Sequence, residues 1–142
     1  MDENDTAKIA TALADYSMFV QRSFLLDLSK ELNMGNISYA QFFLLGELAR
    51  EDYLTMTSIS KKMGHSTAAA TGLVDRLEKL GYVQRLHAPE ERRKVMVQIT
   101  RKGTELVNRI RDLLVASHTT KLKEMDIGPD TSVVDLLSKM SE

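Results

Sequence analysis

From Thr6 to Asn33, apolar residues return every three or four positions, at Ile9, Leu13, Tyr16, Val20 and Phe24, which is the repeat of an α-helix. Ala12, Phe19 and Leu26 form a second stripe on another face. A helix that is apolar on two sides needs cover on both, and a chain of 142 residues has little to spare, so a second subunit is expected there. The turn-prone run Asn33-Met34-Gly35-Asn36 ends this helix. Ser38-Tyr39-Ala40-Gln41 then reads as a capping box, flanked by Ile37 and Phe42 at the staple positions. It predicts a second helix from Tyr39 to Glu51 that buries Phe42, Leu45 and Leu48. Thr55 or Thr57 caps a short third helix carrying Ile59 and Met63, which Gly64 ends. Ser66 or Thr67 caps a fourth, running to Leu80 with Ala70, Leu73, Val74 and Leu77 inward and Gly81 closing it.

The period then changes. Tyr82–Leu86 and Val95–Ile99 are short, β-branched and partly alternating, and the polar stretch His87–Lys94 between them contains Pro89. That pattern predicts a β-hairpin with a charged tip. Thr100 caps a long fifth helix with Leu106, Ile110, Leu113 and Leu114 on one face, broken by Gly128-Pro129 near Ile127. A short terminal helix follows, marked by Val133, Leu136, Leu137 and Met140. The expected fold is therefore mainly α with a small β-hairpin wing. Helix, short helix, turn, helix and hairpin is the order of a winged helix-turn-helix.

Composition narrows the chemistry. With 43% hydrophobic and 27% charged residues, seven Gly and two Pro, the chain is neither disordered nor collagen-like. It has no Cys, which excludes disulfides, thiolate metal sites and a cysteine nucleophile or redox switch. No apolar run approaches the length of a membrane span, and the acidic start Met-Asp-Glu-Asn-Asp is unlike a secretory signal, so a cytoplasmic location is expected. The formal net charge of −1 hides a segregation. Residues 55–111 hold twelve Lys/Arg against five Asp/Glu, whereas the rest hold seven against fifteen. The middle of the chain is thus suited to an anionic partner and the ends are not.

Where the cations fall points to double-stranded DNA. The outward N-terminal part of the fourth helix (Ser66, Thr67, Ala68, Ala69, Thr71, Gly72) consists of small residues that permit close approach to base edges in a major groove. The Ser66 and Thr67 hydroxyls and the helix N-terminus suit phosphate, and Lys61, Lys62 and Arg76 flank them. In the hairpin, Glu91-Arg92-Arg93-Lys94 offers three consecutive cations beside a carboxylate, of which Arg93 suits a narrow minor groove. Glu91 is placed to orient Arg93 through a carboxylate–guanidinium pair.

The run Leu73-Val74-Asp75-Arg76-Leu77-Glu78-Lys79-Leu80-Gly81-Tyr82-Val83, then Pro89-Glu90-Glu91-Arg92-Arg93, then Ile99-Thr100-Arg101-Lys102-Gly103, resembles the MarR family of transcriptional regulators. The resemblance extends over residues 6–142. It implies a single MarR-like domain over 1–142, in which 1–36 and 104–142 are dimerisation helices and 37–103 a winged helix-turn-helix lobe. It further implies a homodimer on a palindromic operator, usually a repressor, often released by small phenolic or lipophilic ligands. Base reading then falls on the turns after Ser66 (Ser66, Thr67, Ala69, Thr71), minor-groove insertion on Arg93, and further DNA contacts on Lys61, Lys62, Arg76, Arg92 and Arg101. The family commonly has Asp where Glu91 and Ala88 stand, and a long polar or basic side chain where this chain has Gly72. With fewer bidentate base contacts, methyl contacts and groove shape are expected to dominate, favouring an A·T-rich site.

Other chemistry finds little support. His65, His87 and His118 lie in three different elements, so no metal cluster is expected, and no cofactor motif occurs. No nucleophile–base pair is visible, so no catalytic residue is expected and the chain does not read as an enzyme. A candidate pocket for a small aromatic effector is Tyr16, Phe19, Tyr39 and Phe43, with Arg22 or Arg85 to meet a carboxylate. The alternative reading is an α-helical interaction module that works through protein contacts without DNA.

Overall fold

The computed structural model describes residues 1–125 and 127–141, and the side chains of all of these except Ser23, Arg92 and Ser141. Helix α1 (Glu3–Asp15) starts at Asp2, whose side chain accepts from the Asp5 amide at 2.7 Å. It does not run straight to Asn33. A single π-helical turn, Tyr16–Val20, separates it from α2 (Gln21–Gly35). That turn closes on Gln21 N–H to the Tyr16 carbonyl, one residue more than an α turn. The extra residue rotates the faces of α2 relative to α1 by about 100°.

The capping box forms as expected, with Gln41 N–H donating to Ser38 Oγ at 3.2 Å and Ser38 N–H to Gln41 Oε1 at 2.8 Å. It starts α3 (Tyr39–Leu48), which ends three residues before the expected Glu51. The final amides tighten there, Arg50 N–H bonding Glu47 and Glu51 N–H bonding Leu48, as the apolar stripe gives way to Ala49-Arg50-Glu51-Asp52. Leu44, Leu45 and Leu48 are fully buried, while Phe42, expected inside, is only half-buried.

A short strand, β1 (Leu54–Thr55), precedes α4 (Met56–Met63); two residues hold no alternation from which to predict a strand. Of the two possible caps, Thr55 serves, accepting from Ser58 N–H at 3.2 Å. Gly64 ends α4 at φ 63°, a left-handed conformation in which a side chain is strained. Ser66 caps α5 (Thr67–Lys79), accepting from Ala69 N–H at 3.2 Å.

Strands β2 (Val83–Ala88) and β3 (Glu91–Ile99) form the hairpin, and β1 adds to β3, giving the antiparallel order β1-β3-β2. Only Pro89 and Glu90 lie between the strands, so the tip is much tighter than the expected loop His87–Lys94. His87 faces Val95, whereas Ala88 faces Glu91 where regular pairing would bring Lys94. The excess on β3 is therefore Arg92-Arg93-Lys94, a basic bulge within a strand. A bulge bends its strand and re-aims the side chains it carries.

Helix α6 (Arg101–Glu124) follows, with Gly103 N–H on Thr100 Oγ1 at 3.2 Å, and α7 (Val133–Ser141) closes the chain. Helix α6 ends at Glu124, short of the expected Ile127. Among the described residues no helix is long and apolar enough to cross a membrane.

The chain divides into two compact units, residues 31–111 and residues 1–30 with 112–142. The first has Leu44, Leu45, Leu48, Ile59, Ala70, Val74, Leu77 and Val97 as its fully buried centre. The second packs α1 and the π-helical turn against α7, with Ala12, Leu28 and Met140 buried. In the first unit α6 enters against the sheet so closely that a Cβ on Gly103 would overlap the Tyr82 carbonyl oxygen and the Ile99 side chain. Gly103→Ala should therefore destabilise the protein by about 1–3 kcal/mol, the usual cost of overpacking, despite alanine's better helix propensity. Urea denaturation checks this; unchanged stability would contradict the close approach.

Candidate nucleic-acid interface

All the residues that sequence reasoning placed against DNA lie in the unit formed by residues 31–111. Helix α5 presents two unlike sides. Ala70, Val74 and Leu77 are fully buried, against α3, α4 and β2. Ser66, Thr67, Ala68, Ala69 and Gly72 are exposed, and Thr71 is half-buried, its hydroxyl donating to the Thr67 carbonyl at 2.8 Å. Nothing lies within 4 Å of where a Cβ on Gly72 would stand. The first turns of α5 thus offer exposed small side chains and a helix N-terminus, a surface that can approach the floor of a groove.

The cations around it differ in how free they are. Lys61 is exposed at the end of α4, whereas Lys62 pairs with Glu47 at 3.4 Å, both side chains 41% exposed. Arg101 pairs with Glu105 one turn on at 3.0 Å. Arg76 reaches from α5 to the loop between α2 and α3, its Nη2 donating to Asn36 Oδ1 at 3.1 Å. Asn36 itself has φ 58°, a left-handed conformation that asparagine tolerates. Arg93 is exposed in the bulge of β3; Glu91 is exposed too, and among the described residues the two form no ion pair. The side chain of Arg92, also expected at DNA, lies outside those described.

Arg85 has a different place from the one its expected role would need. It stands on β2 and reaches α5, where Nη2 pairs with Asp75 Oδ1 and Nη1 donates to Glu78 Oε1 at 2.8 Å. The other Glu78 oxygen accepts from the Arg85 backbone N–H at 3.0 Å. Partial burial pulls the Arg85 pKa down, but the hydrogen bonds and the negative charges of Asp75 and Glu78 together hold the guanidinium above its usual value. Asp75 and Glu78, three apart on α5, were the signal for this cluster, since that spacing puts two carboxylates on one helix face. Lys102 carries no comparable signal in the sequence: its Nζ donates to the Leu80 carbonyl and lies 4.6 Å from the Tyr82 ring centroid.

The other candidate ligand residues fall into both units. Tyr16 (half-buried), Phe19 and Arg22 (both exposed) belong to the unit of the chain termini. Tyr39 and Phe43 stack on α3 with ring centroids 6.5 Å apart. A cavity of about 540 Å³ beside α3 and α4 takes in Phe43 but otherwise Phe42, Gly46, Glu47, Arg50, Lys62 and Met63, none of them among the ligand residues expected from sequence.

Comparison with known proteins bears on this geometry. Residues 37–95 match the model of the MarR family. A Bacillus subtilis (strain 168) protein named as the uncharacterized HTH-type transcriptional regulator YfiV is 36% identical over 91 residues, 64% of this chain and 56% of that protein. The HTH-type transcriptional repressor YetL of the same organism is 32% identical over 89 residues, 56% of this chain and 53% of that one. The chain thus spans a little over half the length of these curated relatives. The Staphylococcus aureus MepR–DNA complex superposes with a TM-score of 0.68 at 20% identity, over 74% of this chain and 86% of that one. Residues 37–95, which carry most of the winged helix-turn-helix, are thus the part of the chain that matches the MarR family.

Proposed function

We propose that the protein is a sequence-specific DNA-binding transcriptional regulator, a homodimer that represses by occupying a palindromic operator. The observation that carries this reading is the pairing, within one unit, of a bare small-residue helix start (Ser66–Gly72) with a strand bulge of consecutive cations (Arg92–Lys94). The first suits the major groove, where Ala and Thr methyl groups meet thymine methyls. The second suits the narrow minor groove of A·T-rich duplex, whose potential attracts Arg93. Lys61, Lys62 and Arg101 supply phosphate contacts, and Arg76 supports the surface from its bond to Asn36. The names of YetL and of the MepR–DNA complex agree with this direction.

Dimerisation is supported by apolar side chains left open on the unit of the termini, among them Met18 at 64%, Phe19 at 55%, Leu26 at 61% and Val133 at 69% exposed. Residues 1–36 and 104–142 supply the dimer helices in this reading, and 37–103 the DNA-binding lobe. Two lobes related by a two-fold axis read two half-sites about one helical turn apart, and the bound dimer excludes polymerase. A small aromatic or lipophilic effector, for which the exposed Tyr39–Phe43 pair is the supporting surface, would release it by favouring a dimer with altered lobe spacing.

Three outcomes are expected. Binding to a palindrome obtained by in vitro selection should weaken with salt, log affinity falling by about 0.9 per phosphate neutralised for each unit of log salt. A chain with no measurable affinity for any selected duplex at low salt is instead an interaction module. In competition, A·T-rich palindromes should win over G·C-rich ones; equal affinity removes methyl contact and groove shape as the basis of choice. Gly72→Ala should raise the stability of the free protein by roughly 0.5–1 kcal/mol, as alanine replaces glycine within a helix, yet weaken operator binding. An unchanged operator affinity would place Gly72 away from the bases.

A further inference from the structure

Among the described residues, the cluster of Arg85 with Asp75 and Glu78 makes no hydrogen bond or ion pair with a residue assigned to DNA, yet it joins the two elements that carry them. Arg85 lies on β2, a strand of the wing, and both its carboxylate partners lie on the recognition helix α5. Three bonds cross that junction. Two are made by a planar guanidinium, and the third fixes the β2 backbone itself to Glu78. The Arg85 side chain is 23% exposed, whereas those of Asp75 and Glu78 are 61% and 41% exposed. A forked, charge-assisted arrangement of this kind specifies an angle as well as a distance.

We propose that Arg85 is a positioning residue for DNA reading: held by Asp75 and Glu78, it fixes the angle of the wing to the recognition helix, so that helix and wing enter adjacent grooves as one body. This rests on the DNA-binding reading above and deepens it. The lever is short and effective. From Arg85 to Ala88, opposite the bulge, is three residues, roughly 10 Å of strand, so a tilt of about 10° at Arg85 displaces the bulge by roughly 2 Å. Such a displacement takes Arg93 out of hydrogen-bond range of a groove floor. The cluster also neutralises carboxylates in part. Asp75 lies one turn beyond Thr71 and Gly72, and an unpaired charge there faces the phosphates that the same helix must approach.

A double-mutant cycle in operator binding separates positioning from plain stability, using the full-length protein at a temperature where each variant is folded. Arg93→Ala should weaken binding about tenfold in the wild-type background, the usual scale of one arginine contact. In an Arg85→Gln background, the same Arg93→Ala change should cost less than about twofold, because the wing is already misplaced. If the cluster only stabilises the fold, Arg85→Gln lowers the melting temperature and leaves the tenfold cost of Arg93→Ala in place, which overturns the proposal. Loss of any Arg93 effect in the wild-type background overturns it as well, since the wing would then hold no contact to position. Glu78→Gln keeps an acceptor for the Arg85 backbone N–H and removes one charge; it should show an intermediate coupling, and it keeps the test open if Arg85→Gln does not fold. The triple variant Asp75→Asn/Glu78→Gln/Arg85→Gln removes all three charges. It should still lack the Arg93 contribution; recovery of the tenfold cost would show that charge balance, and not angle, is what matters. Failure of the wild-type protein to bind any selected duplex would instead overturn the DNA-binding reading itself.

Discussion

The 31–111 unit depends on one constraint: α5 must bury a narrow face completely and leave the rest of its first turns bare. Ala70, Val74 and Leu77 meet the first requirement, all with no accessible surface, against α3, α4 and β2. Their spacing of four and three residues is a single stripe, so the opposite side of the helix owes nothing to the core. Ala70 matters most because its small volume lets α5 sit close to its neighbours. A longer side chain there would push out the turns bearing Thr67, Ala68 and Thr71. The hydrophobic core and the proposed reading surface are therefore set by the same helix rotation.

How much of this was legible depended on whether a signal was local. The Ser38/Gln41 capping box needs only four residues and formed as read. The stripe of α5 and its Ser66 cap are equally local. What escaped the sequence was decided between elements. The π-helical turn at Tyr16–Val20 inserts one residue into a pattern whose spacings of three and four also fit an unbroken helix. Strand β1 is two residues long and exists because β3 offers Val97 and Met96 as partners. The basic bulge looked like a loop because charge and Pro89 suggested one, whereas pairing of Ala88 with Glu91 closes the turn early and pushes the surplus residues into the strand. Arg85 was read by its charge alone, as a partner for a ligand carboxylate; the chain already supplies two.

The ion pairs divide the cations by availability. Arg101–Glu105 has side chains 93% and 66% exposed, and Lys62–Glu47 is open on both sides. Pairs of that kind contribute about 0–1 kcal/mol, so exchanging the carboxylate for a phosphate costs little, and both cations can serve DNA. Arg85, with two carboxylates and a less exposed side chain, would have to give up a network to do the same. Arg76 stands between: its partner Asn36 is neutral, so a phosphate competes with the side-chain and backbone oxygens of one residue rather than with a charge. Counting positive residues would assign all four the same role, and their partners separate them.

The same logic explains why segregation of charge along the chain matters more than its near-zero total. A surface meant for phosphate needs local excess, and residues 55–111 have it even after Asp75 and Glu78 are spent on Arg85. In the unit of the termini, by contrast, large apolar side chains such as Met18, Phe19 and Leu26 stand open around the π-helical turn and the start of α2. Apolar surface of that kind is stabilised by burial, which salt does not screen, whereas the cations of the other unit act through charge that salt does screen. One chain thus carries two surfaces of different chemistry, which the proposed function assigns to a like apolar surface and to a polyanion. On the proposed function, salt should weaken only the second, so that a dimer held by the first would outlast the loss of DNA.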